Sequence, residues 1–190
     1  MNKMSGKWLI GVLCLMLAAP LAATPVGRLG VPAGPVPTGS SFVISVYADG
    51  VGLDEVIAFG FDLDYSNTWA FVGAAMGPGF PNDDSGSPTN TMVAGSVDPD
   101  PPWPSGDNVL LATLTLRPSV AGQFHFGIIS DLSNKNQGLI LFTGPTADLT
   151  TNIEIEVSAA PVPGSLALLI LGLAALPLSH YRRAALAQRV

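Results

Sequence analysis

A chain of 190 residues, 48% hydrophobic and only 12% charged, accommodates one domain of ordinary size with appendages. Its net charge of −6 hides an uneven spread: residues 24–160 hold all fourteen acidic residues but only three basic ones, Arg28, Arg117 and Lys135, a net of −11. A surface that negative repels nucleic acid and anionic lipid, so no nucleic-acid partner is expected, whereas divalent cations, neutral glycans and basic proteins remain compatible.

Residues 1–23 have the three parts of a secretory signal. Lys3 and Lys7 make a positive start, residues 8–17 an apolar run too short to span a bilayer, and Ala18, Ala19, Ala22 and Ala23 a small-residue exit. Cleavage is expected after Ala23. The single cysteine, Cys14, lies inside this run, where the bulky Leu13 before it does not suit lipid attachment. The domain that follows therefore has no thiol, disulfide or cysteine-based metal site.

Residues 24–160 read as all-β. The spacing predicts strands over 26–29, 42–48, 57–64, 69–74, 91–96, 110–116, 123–128, 139–142 and 153–157, about nine in all. Phe42, Ile44 and Val46 share one face. In residues 57–64 the large apolar side chains fall at odd positions, and Leu110, Ala112, Leu114 and Leu116 repeat the alternation. Phe124, Phe126 and Ile128 oppose Gln123 and His125, while Ile153, Ile155 and Val157 oppose Glu154 and Glu156. One-sided alternation between Gly, Pro, Asn and Asp clusters indicates an antiparallel two-sheet sandwich. Its core is expected to hold Phe42, Ile44, Phe59, Phe61, Leu114, Phe124, Phe126 and Ile155, with Trp69 beside Phe71. Residues 77–90 and 97–107, rich in Pro, Gly, Asp and Ser, are expected as long surface loops.

At this level residues 37–46 and 57–65, followed by 108–116 and Gly122-Gln123-Phe124, resemble a cohesin-type domain. The resemblance runs over about residues 26–157 and implies a nine-stranded jelly-roll sandwich. Cohesins dock a calcium-binding dockerin or belong to carbohydrate-associated assemblies, so a dockerin-like protein or a polysaccharide is the partner it implies. The family's docking face has no short motif by which contact residues transfer to this chain.

Few residues point to chemistry. Asp62 and Asp64 lie two apart on a predicted solvent face, a spacing that invites a glycosidase reading. A catalytic acid needs burial to raise its pKa, which favours a solubilising face. Asp98, Asp100 and Asp107, like Asp83 and Asp84, would offer oxygens to calcium, but the ion needs six to eight converging oxygens, and prolines 99, 101, 102 and 104 stiffen the loop. A solvated acidic loop is the favoured alternative, and no other cofactor is expected. His125, the one histidine before residue 160, makes neither a triad nor a metal site. Trp103, in Pro101-Pro102-Trp103-Pro104, is the candidate ligand-binding residue: it either stacks on a sugar or partner, or folds back to cap the sandwich. No enzymatic activity is expected.

The chain ends on Pro161-Val162-Pro163-Gly164-Ser165, a Leu/Gly/Ala run through residue 178, and the arginines Arg182 and Arg183. Counted from Val162, the apolar stretch sits at the lower edge of a membrane span, and the arginine pair would stay cytoplasmic. Residues 161–190 resemble the PEP-CTERM sorting segment of Gram-negative, exopolysaccharide-producing bacteria, although Pro161-Val162-Pro163-Gly164 lacks that motif's glutamate. The resemblance implies an exosortase-type processing protease as partner. It further implies inner-membrane anchoring by a transmembrane-type helix before processing, and release to the cell surface or matrix afterwards. A plain tail anchor is the alternative. The sequence thus points to a non-enzymatic, exported envelope or matrix protein that binds a protein or glycan. The alternatives are a structural surface protein without a discrete ligand, or a carbohydrate-active enzyme using Asp62 and Asp64.

Overall fold

The computed structural model describes residues 24–86 and 91–160. The signal-peptide reading of residues 1–23 and the sorting segment, with Pro161, Val162, Pro163, Gly164, Arg182 and Arg183, lie outside the described residues. No helix occurs among the described residues, and none there is long and apolar enough to cross a membrane.

Among the described residues, eleven strands form two sheets. Strands β1 (Val26–Gly30), β3 (Phe42–Asp49), β8 (Val109–Pro118) and β5 (Trp69–Met76) make a four-stranded sheet in the order β1-β3-β8-β5. The second sheet holds β2 (Val36–Pro37), β11 (Thr151–Ser158), β9 (Gly122–Ile129), β4 (Val56–Tyr65), β7 (Val93–Ser96) and β6 (Asn82–Asp83) in the order β2-β11-β9-β4-β7-β6, with β10 (Gly138–Leu141) on β4. Every pairing is antiparallel except that of β2 with β11. The nine expected strands are present. The two additional ones, β2 and β6, are two residues long and carry no alternation to read. β6 interrupts the loop expected over 77–90, and Phe80 in that segment is buried against Phe59, with ring centroids 4.9 Å apart.

Burial follows the alternation, with departures at bulges. Phe42, Ile44, Phe59, Phe61, Leu114, Phe126 and Ile155 are buried as expected. Phe124 is only half-buried, packing on the core edge against Trp69. In β8 the expected inward Leu110 is half-exposed and Leu111 is buried instead. The register against β3 steps from Val46 opposite Ala112 to Tyr47 opposite Leu110, so an extra residue is accommodated at Leu111 and the alternation shifts there. The same happens at the start of β4, where Ile140 pairs Ala58 and Leu141 pairs Val56; Val56 becomes buried and Ile57 half-exposed. A bulge costs ladder pairing locally but re-aims two side chains, which binary alternation alone does not reveal.

Trp69 joins the layers. From β5 of one sheet it lies edge-on to Phe42 at 5.5 Å and stacks on Phe126 of the other sheet at 6.3 Å. Such aromatic contacts add stabilisation beyond the apolar area they bury.

Candidate functional site

The outer face of the larger sheet carries most of the polar chemistry. Asp62 and Asp64 both project from it, but their surroundings differ. Asp62, expected as a free solvent-facing carboxylate, is half-buried and engaged: Oδ1 accepts the Met92 N–H at 2.9 Å and Oδ2 accepts Gln137 Nε2 at 2.8 Å. Gln137 is itself buried, and its Oε1 accepts the Asp131 N–H at 2.6 Å. The loop over 131–137 therefore lies across the sheet, so close that a Cβ on Gly60 would stand 2.0 Å from the Asn136 carbonyl oxygen. Glycine at position 60 is what permits that approach. With Oδ2 tied to the crossing loop through Gln137 and Oδ1 to the Met92 N–H, Asp62 has a structural task and is not placed as a hydrolytic acid or nucleophile.

Asp64 is exposed. Its Oδ2 lies 3.5 Å from His125 Nε2, and Glu154 Oε1 lies 3.6 Å from His125 Nδ1. One imidazole on β9 thus sits between carboxylates from β4 and β11. A neutral imidazole has one N–H to give, so it can donate to only one of the two at a time. These groups face solvent, where such pairs contribute little. Around Asp62 the face turns apolar: Ile129, its register partner, is 45% exposed, Leu132 on the crossing loop 51%, and Met92 is exposed as well. None of these three, nor Gln137, was singled out from sequence. Ile129 has the outward parity of Gln123 and His125 but lies one residue past the strand end expected from sequence.

Trp103 is half-buried. Its Nε1 donates to the Asp98 carbonyl at 2.9 Å, and its ring packs on Phe142 with centroids 5.0 Å apart and planes tilted by 55°. Phe142, which remains 57% exposed, follows the end of β10 and was expected only as part of a strand. The pair is an apolar ridge rather than a flat platform. Asp98, Asp100 and Asp107 do not converge: among the described residues no group of three or more His, Cys, Asp or Glu side chains is placed to hold a metal ion. Asp98 and Asp100 are exposed, and Asp107 Oδ1 accepts the Gly50 N–H at 3.1 Å, tying two loops together. Asp83 caps a turn by accepting the Ser85 N–H.

Asp54 and Asp131 are held ionised by local geometry. Partial desolvation would raise the Asp54 pKa, but hydrogen bonds from Glu55, Thr143 and Gly144 outweigh it and hold the carboxyl below its ordinary value. The hydroxyl and N–H of Ser133 do the same for Asp131.

No protein-family model matches the chain, and no curated protein matches it. Solved structures do. The chain is similar to the cohesin module of a family 33 glycoside hydrolase from Clostridium perfringens, at 15% identity over 72% of this chain and 98% of that one, with a TM-score of 0.52. It is similar to the seventh ScaB type I cohesin of Pseudobacteroides cellulosolvens, at 14% identity, 74% and 96% coverage and a TM-score of 0.51. It is also similar to CaCohA2 from Clostridium acetobutylicum, at 18% identity, 72% and 92% coverage and a TM-score of 0.51. The domain has a cohesin-like β-sandwich fold.

Proposed function

We propose that this protein is a non-enzymatic binding module of the cell envelope or extracellular matrix. It is exported by its N-terminal signal, held or sorted by its C-terminal segment, and docks a protein partner, a dockerin-like protein being the class the cohesin-like fold favours. The observation that carries the protein-binding reading is the outer face of β4 and β9, where exposed Met92, Ile129 and Leu132 surround the engaged Asp62 and exposed carboxylates border them. An apolar centre inside a charged rim is the usual layout of a protein interface. The tilt between Trp103 and Phe142 offers no flat surface for a sugar ring, which weighs against a glycan as the main ligand.

The test places a photo-crosslinking amino acid at Ile129 and, separately, at Val43 on the opposite sheet, in the full chain expressed in its own cells. Adducts of one discrete protein at position 129, absent at 43, support the reading. Equal labelling at both positions, or retention only with polysaccharide, returns the protein to a structural or glycan-binding role. Mass spectrometry of the C-terminal peptide addresses sorting: a mature chain ending near residues 161–165 supports exosortase-type processing, and a chain ending only at Val190 supports an ordinary anchor.

A further inference from the structure

A cavity of about 670 Å³ opens at the end of the sandwich where β3 hands over to β4. Its walls are apolar, formed by Val51, Leu141 and Ala147 with Pro25 and Pro145, and Asp54 and Asp107 are among the residues that line it. That volume falls within the ~300–1,000 Å³ typical of ligand pockets. Leu53 stands at the rim fully exposed, at 101%, on a turn whose Gly50 and Gly52 have φ of 75° and 67°. A leucine held entirely in water beside an apolar cavity is an unpartnered surface, since burying it removes apolar area from water. This end is distinct from the sheet face described above. It is also opposite the end at which Ala160, the last described residue, is bound to Thr38.

Charge selects what enters. Asp54 and Asp107 line the cavity and no lysine or arginine does, so even with the one α-ammonium that cleavage after Ala23 would leave on Thr24 the lining stays net negative. Arg28, the basic residue of neighbouring β1, has its guanidinium committed to Asp49 and Asn108, both at 2.5 Å. An anion or a fatty carboxylate would meet net like charge, while an aliphatic cation gains from both walls and rim. From this cavity we infer a second binding site, one that takes the lysine and leucine side chains of a basic, extended segment on a protein partner. Lysine suits it because its methylene stem lies on apolar wall while the ammonium reaches a carboxylate.

The probe is a fluorescein-labelled Lys-Leu-Lys-Leu peptide, with Glu-Leu-Glu-Leu as control, titrated by anisotropy against the full chain in phosphatidylcholine nanodiscs. The basic peptide should bind and weaken as salt rises, and the acidic one should not bind. Asp107→Asn, exposed and able to keep its Gly50 bond, should weaken binding about fivefold, as loss of one partly solvated charge pair does. Thr146→Trp, at an exposed lining position, should abolish binding by filling the cavity. Leu53→Ser, wholly exposed and so without effect on folding, should weaken it, while Ile129→Asp on the sheet face should leave it unchanged. Equal binding of both peptides, or undiminished binding in Asp107→Asn and Leu53→Ser, overturns the assignment. So does loss of binding in Ile129→Asp alone.

Discussion

The outer faces of the two sheets have the same strand geometry and opposite characters. On the β1-β3-β8-β5 sheet, Val43, Ser45, Thr113 and Thr115 face outward in simple alternation, and the charges there are Arg117 and the Arg28–Asp49 pair. On the β4-β9-β11 side the face carries Asp62, Asp64, His125, Glu154 and Glu156, and a loop of the same chain crosses it. The first face has the β-branched residues a wet antiparallel face favours. The second is partly an interior surface, with a glycine, a buried glutamine and a carboxylate bonded on both oxygens. Polar residues on a strand's outward positions therefore mean two things, solvation on one sheet and attachment of a loop on the other.

The sharpest way to break this comparison is to add one carbon to each face. Gly60→Ala would drive its Cβ to 2.0 Å from the Asn136 oxygen, so the crossing loop must lift off, at an expected cost of about 3 kcal/mol or more. Gly73→Ala on β5 meets nothing within 4 Å and should stay within about ±0.5 kcal/mol. Urea unfolding of the two variants reads the difference. Equal costs would show that the loop over 131–137 is not packed on Gly60.

A second, smaller contrast lies within one strand. Asp62→Ala strands the Met92 N–H and the buried Gln137 amide, for an expected loss of about 2 kcal/mol. Asp64→Asn touches only a half-exposed pair with His125 and should change stability by less than about 0.5 kcal/mol. If the two substitutions cost the same, either Asp62 is not a staple or Asp64 is more than a solvated charge.

Much of the fold was legible because alternation reports which side of a sheet is dry. Phe42, Ile44, Phe59, Phe61 and Phe126 occupy the core their spacing indicates, and Trp69 joins them. The pattern failed where the chain left strict period two: a bulge moved burial from Leu110 to Leu111, and Phe80 and Leu149 entered the core from segments without alternation. The candidate sites were less legible. Trp103 left two readings open, an exposed ring or one folded back on the sandwich, because its partner Phe142 is 39 positions away in the chain and only tertiary pairing brings them together. The two aspartates of β4 look equivalent in sequence, because nothing local to Asp62 announces Gln137 seventy-five residues on.

The mildest perturbation is acid, and it should separate the two faces without any mutation. Asp131, at the start of the crossing loop, and Asp54, which holds the turn after β10, both have carboxyls kept below the ordinary 3.8. A depressed carboxylate contributes stability that is fully present above its unfolded pKa and is lost as pH falls through the lower folded value. Between neutral pH and about pH 5 neither group changes state, so stability from this source should be flat there; below about pH 4 it should decline. The loss belongs to the loops of the larger sheet. Ser133 should release Asp131, and Thr143 should release Asp54, while the strand pairs of β3 with β8 keep their bonds. Nuclear magnetic resonance of the full chain, followed from about pH 6 to about pH 2.5, should show the amides of Ser133, Asn134 and Thr143 shifting before those of Ile44 and Leu114. In Asp131→Asn the early change at Ser133 should vanish and that at Thr143 should persist. Simultaneous shifts on both sheets would mean that acid acts on the domain as a whole, and that the covered face is no more dependent on its carboxylates than the bare one.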